Sequence, residues 1–221
     1  MTLTVWSVLW GEKYPPVYVQ RLKAMVERHL PVTHRFVCLT SHQIAGVDTV
    51  EPPTDWPGWW QKLSLFSVAS GPSLYLDLDV LVDGDLSDIA SYSRHRLAMP
   101  LEFGHRRHRA ARWNSSVMVW DGMLRSPPEG FDPALLVQAE AEGHCRYGPE
   151  RLWGDQEYLT RHHADEITTI PDACGIVSWR AWRHRGGPPQ RSRVVCFHGR
   201  PNYHELPRDP WVSRVLRGLP V

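Results

Sequence analysis

One stretch of nine residues, Leu74-Tyr75-Leu76-Asp77-Leu78-Asp79-Val80-Leu81-Val82, constrains this chain more than any other. Apolar residues surround two aspartates spaced two apart. In extended backbone such residues share a face, so Asp77 and Asp79 present two carboxylates to one side while Leu78 packs on the other. Two anions held this way repel, and a divalent cation resolves the repulsion. In open α/β sheets ligands collect at the carboxyl ends of strands, which is where the run over residues 73–76 delivers the pair. The plainer alternative is a strand end with two solvated acids. Apolar flanks on both sides weigh against it.

The rest of the chain predicts what that strand belongs to. Short apolar runs over residues 4–9, 35–39 and 73–76 read as strands, with further strands expected at 96–99, 116–120 and 193–197. Helices are expected from the Pro15-Pro16 pair to about residue 29 and over 58–70, ended by Gly71-Pro72. Two more are expected over 133–141, where Asp132 caps, and over 155–163, with Asp155 as cap. Strands alternating with helices predict an α/β fold with a mainly parallel central sheet flanked by helices. At 221 residues a single domain over 1–221 is expected. The segment 183–193, rich in Arg, Gly and Pro, reads as a mobile loop.

Charge narrows the partners. Twenty-five Lys plus Arg against 24 Asp plus Glu leave a net charge of +1, which gives no composition-level case for nucleic-acid binding. The balance is locally uneven. Residues 94–112 hold six arginines (94, 96, 106, 107, 109 and 112) and one acid, Glu102, and residues 180–200 hold six arginines and no acid. Such stretches are solvated surface or sites for an anionic ligand. The interleaved His95, His105 and His108 have no helix or strand spacing suited to a metal. No apolar run approaches the roughly 18 to 20 residues of a membrane span, and the first residues lack the marks of a signal peptide. A cytoplasmic protein with no transmembrane segment is expected, with room for peripheral membrane contact. Cys38, Cys145, Cys174 and Cys196 stand far apart and read as free thiols. Eleven tryptophans are many for this length, and some of the rings are expected to line a groove.

Several segments, taken in order, resemble the GT-A glycosyltransferases, in particular small bacterial relatives of the family that includes glycogenin and the lipooligosaccharide galactosyltransferases. Asp77-Leu78-Asp79 is similar to that group's D-x-D motif. Residues 58–63, with Lys62, occupy the place of a helix whose basic residue reaches the sugar donor. Asn114-Ser115-Ser116-Val117-Met118 is similar to an N-[AS]-G-V-[LM] strand, with Ser116 in place of Gly. Trp153-Gly154-Asp155-Gln156-Glu157 is similar to a D-Q-[DE] helix start, and Phe197-His198-Gly199-Arg200-Pro201 resembles a late segment carrying a third metal ligand, shortened and without its Lys-Pro-Trp. These landmarks run from about residue 58 to 205.

The resemblance implies a hexosyltransferase that moves a sugar from a nucleotide-diphosphate donor, UDP-linked, to a glycan, a lipid-linked or another hydroxyl acceptor. Asp77, Asp79 and His198 would hold Mn²⁺, with Mg²⁺ as the alternative; oxygen donors with one imidazole and open positions suit either ion. A metal bridging both phosphates absorbs the leaving group's charge without a proton. By the same resemblance Asp77 and Lys62 contact the donor, Asp155 and Gln156 meet its sugar near the reacting carbon, and Asn114 and Ser115 line the sugar pocket. Trp10, Gly11 and Tyr14 are candidates for the nucleotide base, because aromatic faces stack on bases. Leu63, Phe66 and Trp59 would face the core, leaving Lys62 as solvent decoration or a phosphate contact. The resembled family retains anomeric configuration; an inverting relative needs a carboxylate base, for which Asp121, Asp155 and Glu157 are available. Two other classes fit parts of the pattern. A haloacid-dehalogenase-like phosphatase would use Asp77 as nucleophile, although its D-x-D-G-[TV] continuation is missing. A non-catalytic carbohydrate-binding module would account for the tryptophans.

Overall fold

The computed structural model describes residues 2–103, 112–127, 129–134, 154–185 and 187–220. Arg106, Arg107, Arg109, His105, His108, Cys145, Trp153 and most of the helix expected over 133–141 lie outside them. What is described of that helix start has Asp132 accepting from the Ala134 amide at 2.8 Å, the capping bond expected of it.

Ten strands are described: β1 (Leu3–Val8), β2 (His34–Leu39), β3 (Asp48–Val50), β4 (Ser73–Leu76), β5 (Val80–Val82), β6 (Leu97–Pro100), β7 (Val117–Trp120), β8 (Ile167–Ile170), β9 (Ile176–Ser178) and β10 (Val194–Cys196). Seven form one sheet in the order β3-β2-β1-β4-β7-β6-β8, and β5-β10-β9 form a smaller one. In the large sheet β7 runs antiparallel to both neighbours and the other pairings are parallel. The expected α/β architecture is therefore present, with a small second sheet beside it.

The two faces of the large sheet bury different cores, as the period-two alternation of strand side chains requires. Leu74 and Leu76 of β4, with Val117 and Val119 of β7, point to the face covered by α1 (Val17–His29). Tyr75, Met118 and Trp120 point to the other, with Phe66 and Leu159. Helix α1 follows the two prolines as expected. Its buried Tyr18, Val19, Leu22, Met25 and Val26 recur at helical spacing and pack on the sheet, each worth about 1.5 to 3 kcal/mol of transfer free energy. The same core takes in β5, β9 and β10, and α1 contacts β5. The further helices described are α2 (Leu65–Val68), α3 (Ser87–Ala90), α4 (Asp155–His162), α5 (Trp179–Trp182) and α6 (Pro210–Val215). No described helix is long and apolar enough to cross a membrane.

Three expectations need correction. Residues 58–70 do not form one α-helix: a 3₁₀ stretch, Gly58–Ser64, precedes the four-residue α2. Trp60 to Ser64 are all buried, and Gln61 donates to the Thr54 carbonyl and the Ser64 hydroxyl, so packing on every side winds the segment more tightly than an amphipathic helix. Asp155 is not the cap of α4; Gly154 takes that position, and Asp155 is the first helical residue. The expected loop over 183–193 begins with a 3₁₀ turn, Arg183–Arg185, and its Ser192 is buried. Cys38, Cys174 and Cys196 are free and buried, as expected of thiols rather than disulfides.

His163, which follows α4, is fully buried against the Phe66 and Tyr158 rings. Burial holds its pKa below the ordinary value, and Glu166, 3.7 Å away, only partly offsets this. A histidine with a depressed folded pKa stabilises the fold above its unfolded value near 6.5 and loses that contribution as pH falls below it. Urea unfolding at pH 7.5 and 5.5 should therefore show a larger acid-side loss in the wild type than in His163→Gln. Equal losses would remove His163 from the account.

Candidate active site

Strand order reverses between β1 and β4: β1 pairs with β2 on one side and with β4 on the other. Open α/β sheets bind ligands at such a switch, beyond the carboxyl ends of the strands. A cavity of about 570 Å³ lies there. Val8 and Trp10 from the end of β1, Asp77 and Asp79 after β4, Lys62 from the 3₁₀ stretch, Gln156 from α4 and His198 after β10 all line it.

Asp77 and Asp79 reach this cavity by a turn rather than as strand residues, since β4 ends at Leu76 and β5 begins at Val80. The Asp77 amide donates to the Ser116 carbonyl and the Phe197 amide donates to the Asp79 carbonyl, which ties the turn to both sheets. Leu78 is buried, and both carboxylates face one cavity. The side-by-side placement expected of them holds, with a turn instead of a pleat producing it.

Lys62 is the charged centre of the site and is only 7% exposed. Its ammonium lies 3.0 Å from Asp77 Oδ1 and 3.1 Å from Asp155 Oδ2, and donates to Ser115 Oγ at 3.1 Å. Burial alone would lower its pKa; Asp155 and then Asp77 outweigh that and hold it above the usual lysine value. Ser115 donates to Asp155 Oδ2 at 2.5 Å, and Tyr75 donates to Asp77 Oδ1 at 2.5 Å. Lys62 is thus not solvent decoration; it lines the cavity from a buried position. It cross-links the D-x-D turn to the start of α4.

Asp79 is in a different position. Burial and then the neighbouring Asp77 push its pKa up to about 7, against the pull of Lys13, Lys62 and the Tyr14 hydroxyl, which donates to Oδ2 at 3.2 Å. The cavity lining holds four carboxyl groups (Asp77, Asp79, Asp155 and Glu157) and two ammonium groups (Lys13 and Lys62), a formal surplus of two negative charges with every acid ionised. That surplus and the paired aspartates fit a divalent ion, because Mg²⁺-like cations need only one or two carboxylates and take their other ligands from water and substrate phosphates. His198 lines the same cavity, with its ring 5.1 Å from that of Phe103. Among the described residues, however, no three His, Cys, Asp or Glu side chains converge as one metal-binding group, so the carboxylate pair fits and His198 does not complete it in this geometry.

The other expected residues divide. Gln156 and Tyr14 line the cavity, and Trp10 stands 42% exposed between it and a neighbouring cavity of about 550 Å³. Gly11 belongs to that second cavity, with Glu12, His42, Glu51 and Asp55. Asn114 and Ser115 are buried behind the wall, and Ser116 is the residue of that segment that lines the cavity. Asn114 accepts from the Ser116 amide at 2.9 Å and so shapes the turn. Trp59 does not face the core: it is 50% exposed at the cavity. Asp121 is exposed and does not line the cavity. Sequence reasoning missed Tyr75, although its position two before Asp77 obeys the same alternation. It also missed Gly154, where an added Cβ would stand 2.8 Å from the Trp59 indole nitrogen, so glycine leaves room for that ring beside α4.

No protein-family model and no curated protein matches the sequence. Solved structures do match the fold. The galactosyltransferase LgtC, in complex with donor and acceptor sugar analogues, aligns over 97% of this chain and 94% of its own, with a TM-score of 0.61 and 13% identity. The glycosyltransferase GlyE of Streptococcus pneumoniae aligns over 92% of this chain and 56% of its own, with a TM-score of 0.62 and 13% identity. The bifunctional glycosyltransferase WbbM aligns over 97% and 51%, with a TM-score of 0.57 and 10% identity. At this level of identity what is shared is architecture, and the architecture of this chain is that of the GT-A glycosyltransferases.

Proposed function

We propose that this protein is a metal-dependent glycosyltransferase that moves a sugar from a nucleotide-diphosphate donor, UDP-linked, to a hydroxyl acceptor. The observation that carries this reading is the single cavity at the switch between β1 and β4, where Lys62, Asp77, Asp79 and Gln156 meet despite lying far apart in sequence. A formal surplus of two acids over basic groups in its wall suits a divalent cation that in turn meets a diphosphate.

In the reaction the bond between the sugar's anomeric carbon and the diphosphate oxygen breaks, the acceptor oxygen bonds to that carbon, and the acceptor's proton leaves with the diphosphate. Mn²⁺ or Mg²⁺, held by Asp77 and Asp79, would supply charge stabilisation to the departing group, with His198 the third ligand that the resemblance implies. Trp10 offers a face for the base. Gln156 and Asp155 would orient the sugar, with Asp155 kept in place by Lys62 and Ser115. Lys62 would hold the Asp77 and Asp155 carboxylates in place before substrate arrives. Retention of configuration follows the resemblance.

The test is release of nucleoside diphosphate from a panel of nucleotide sugars with and without Mn²⁺. Metal-dependent cleavage of a UDP-sugar is expected, falling at least a hundredfold in Asp79→Asn, in line with the loss of a charge-stabilising group. Cleavage of a generic aryl phosphate, lost in Asp77→Asn, would instead identify a phosphatase. Sugar binding without turnover would identify a binding module.

A further inference from the structure

Asn202 lies four residues beyond His198, is 5% exposed and is not part of any segment discussed for the resemblance. Its side-chain oxygen accepts from the Tyr203 amide at 2.7 Å, and its own amide donates to Glu205 Oε2 at 2.7 Å, closing a capping box around the turn Tyr203–Glu205. That use of the oxygen fixes which end of the carboxamide is which. The nitrogen is left to donate, and it does so to the Tyr14 hydroxyl at 3.1 Å. A phenol has one hydrogen. With its oxygen accepting from Asn202, Tyr14 directs that hydrogen to Asp79 Oδ2 at 3.2 Å. The ring is clamped as well, 4.8 Å from Tyr18, which is itself 4.8 Å from Tyr203.

We propose that Asn202 is a positioning residue for Asp79, acting through the Tyr14 hydroxyl, so that the segment after β10 sets the direction of a carboxylate presented by the turn after β4. The segment grips that turn twice, by the Phe197 amide on the Asp79 carbonyl and by Asn202 through Tyr14 on its carboxylate. Tyr14 is then a fixed part of the wall, with its hydroxyl committed to Asp79, and the base is left to Trp10. The proposal rests on the metal-dependent reading above, because it assigns Asp79 a cation to face.

The test compares wild type, Tyr14→Phe, Asn202→Ser and the double variant by electron paramagnetic resonance of free Mn²⁺ in the presence of UDP, with melting temperatures alongside. Serine can still cap the turn but is too short to reach Tyr14, so a purely structural role for Asn202 would leave Mn²⁺ affinity intact. Outer-shell partners of metal ligands are worth 10- to 100-fold in affinity, so each single variant should weaken Mn²⁺ binding by about tenfold. The double variant should be no weaker than Tyr14→Phe, because the two act in series. Unchanged affinity in Asn202→Ser, or losses that add in the double variant, would overturn the proposal and leave the metal reading standing. A wild type that binds no Mn²⁺ with UDP would overturn the metal reading and this inference with it.

Discussion

Replacing Lys62 with methionine is expected to cost about 3 to 5 kcal/mol of stability, the price of removing one partner from a buried ion pair. The residue left behind explains the size. Asp77 and Asp155 both point at the Lys62 ammonium, at 3.0 and 3.1 Å, and without it two carboxylates share a site with little access to water. Their remaining donors are neutral hydroxyls, Tyr75 on Asp77 and Ser115 on Asp155. Met fills much of the same volume, so the loss is one of charge rather than of packing. For a chain of this length the melting temperature should fall on the order of 10 °C. Adding Asp155→Asn should recover part of the deficit, since one of the two stranded charges is then gone. Chemical denaturation of the wild type, Lys62→Met, Asp155→Asn and the double variant measures the coupling directly. A loss below about 1 kcal/mol in Lys62→Met would mean that the ammonium is solvated and that the network described here is not the charged centre of the fold.

Such a role for Lys62 is not legible in the sequence, and the reason is physical. The pattern over residues 58–70 has apolar positions at roughly helical spacing, which predicts a face for the core and a face for lysine. Tertiary packing overrides it: the segment is surrounded, winds as a 3₁₀ turn, and buries Lys62 while exposing Trp59. The D-x-D stretch was far more readable. A four-residue apolar strand followed by two acids among apolar residues leaves few architectures open, and β4 begins and ends where the pattern predicts. What local spacing cannot supply is the partner list. Asp155 obeys every rule for an N-cap, yet Lys62 and Ser115 claim its carboxylate from 93 and 40 residues away and the cap position passes to Gly154. The small sheet was half legible: a strand is expected over 193–197, where β10 lies, whereas β5 and β9 are not expected and take their strand character from pairing with it.

That small sheet also holds the position where a single methyl group should do the most damage. Gly175 turns the chain from the Asp172–Cys174 turn into β9 with φ +73°, a left-handed conformation that costs other residues energy. Its carbonyl accepts from the Arg193 amide at 2.8 Å and the Val194 amide at 3.2 Å, so the backbone of the neighbouring strand is drawn tightly against it. A Cβ here would stand 2.5 Å from the Arg191 carbonyl oxygen and 3.1 Å from the Arg193 nitrogen. Both are main-chain atoms and cannot rotate away. Gly175→Ala should therefore combine conformational strain with overpacking and cost about 3 kcal/mol. Gly46 supplies the control: it has φ +74° but open space around its Cβ position, so Gly46→Ala carries the strain without the collision. The difference between the two unfolding free energies isolates the close approach of β9 and β10. Because β10 leads directly into the Phe197 amide that holds Asp79, separating those strands should loosen the acidic turn as well as the sheet. Equal losses in the two variants would show that the chain does not approach Gly175 this closely.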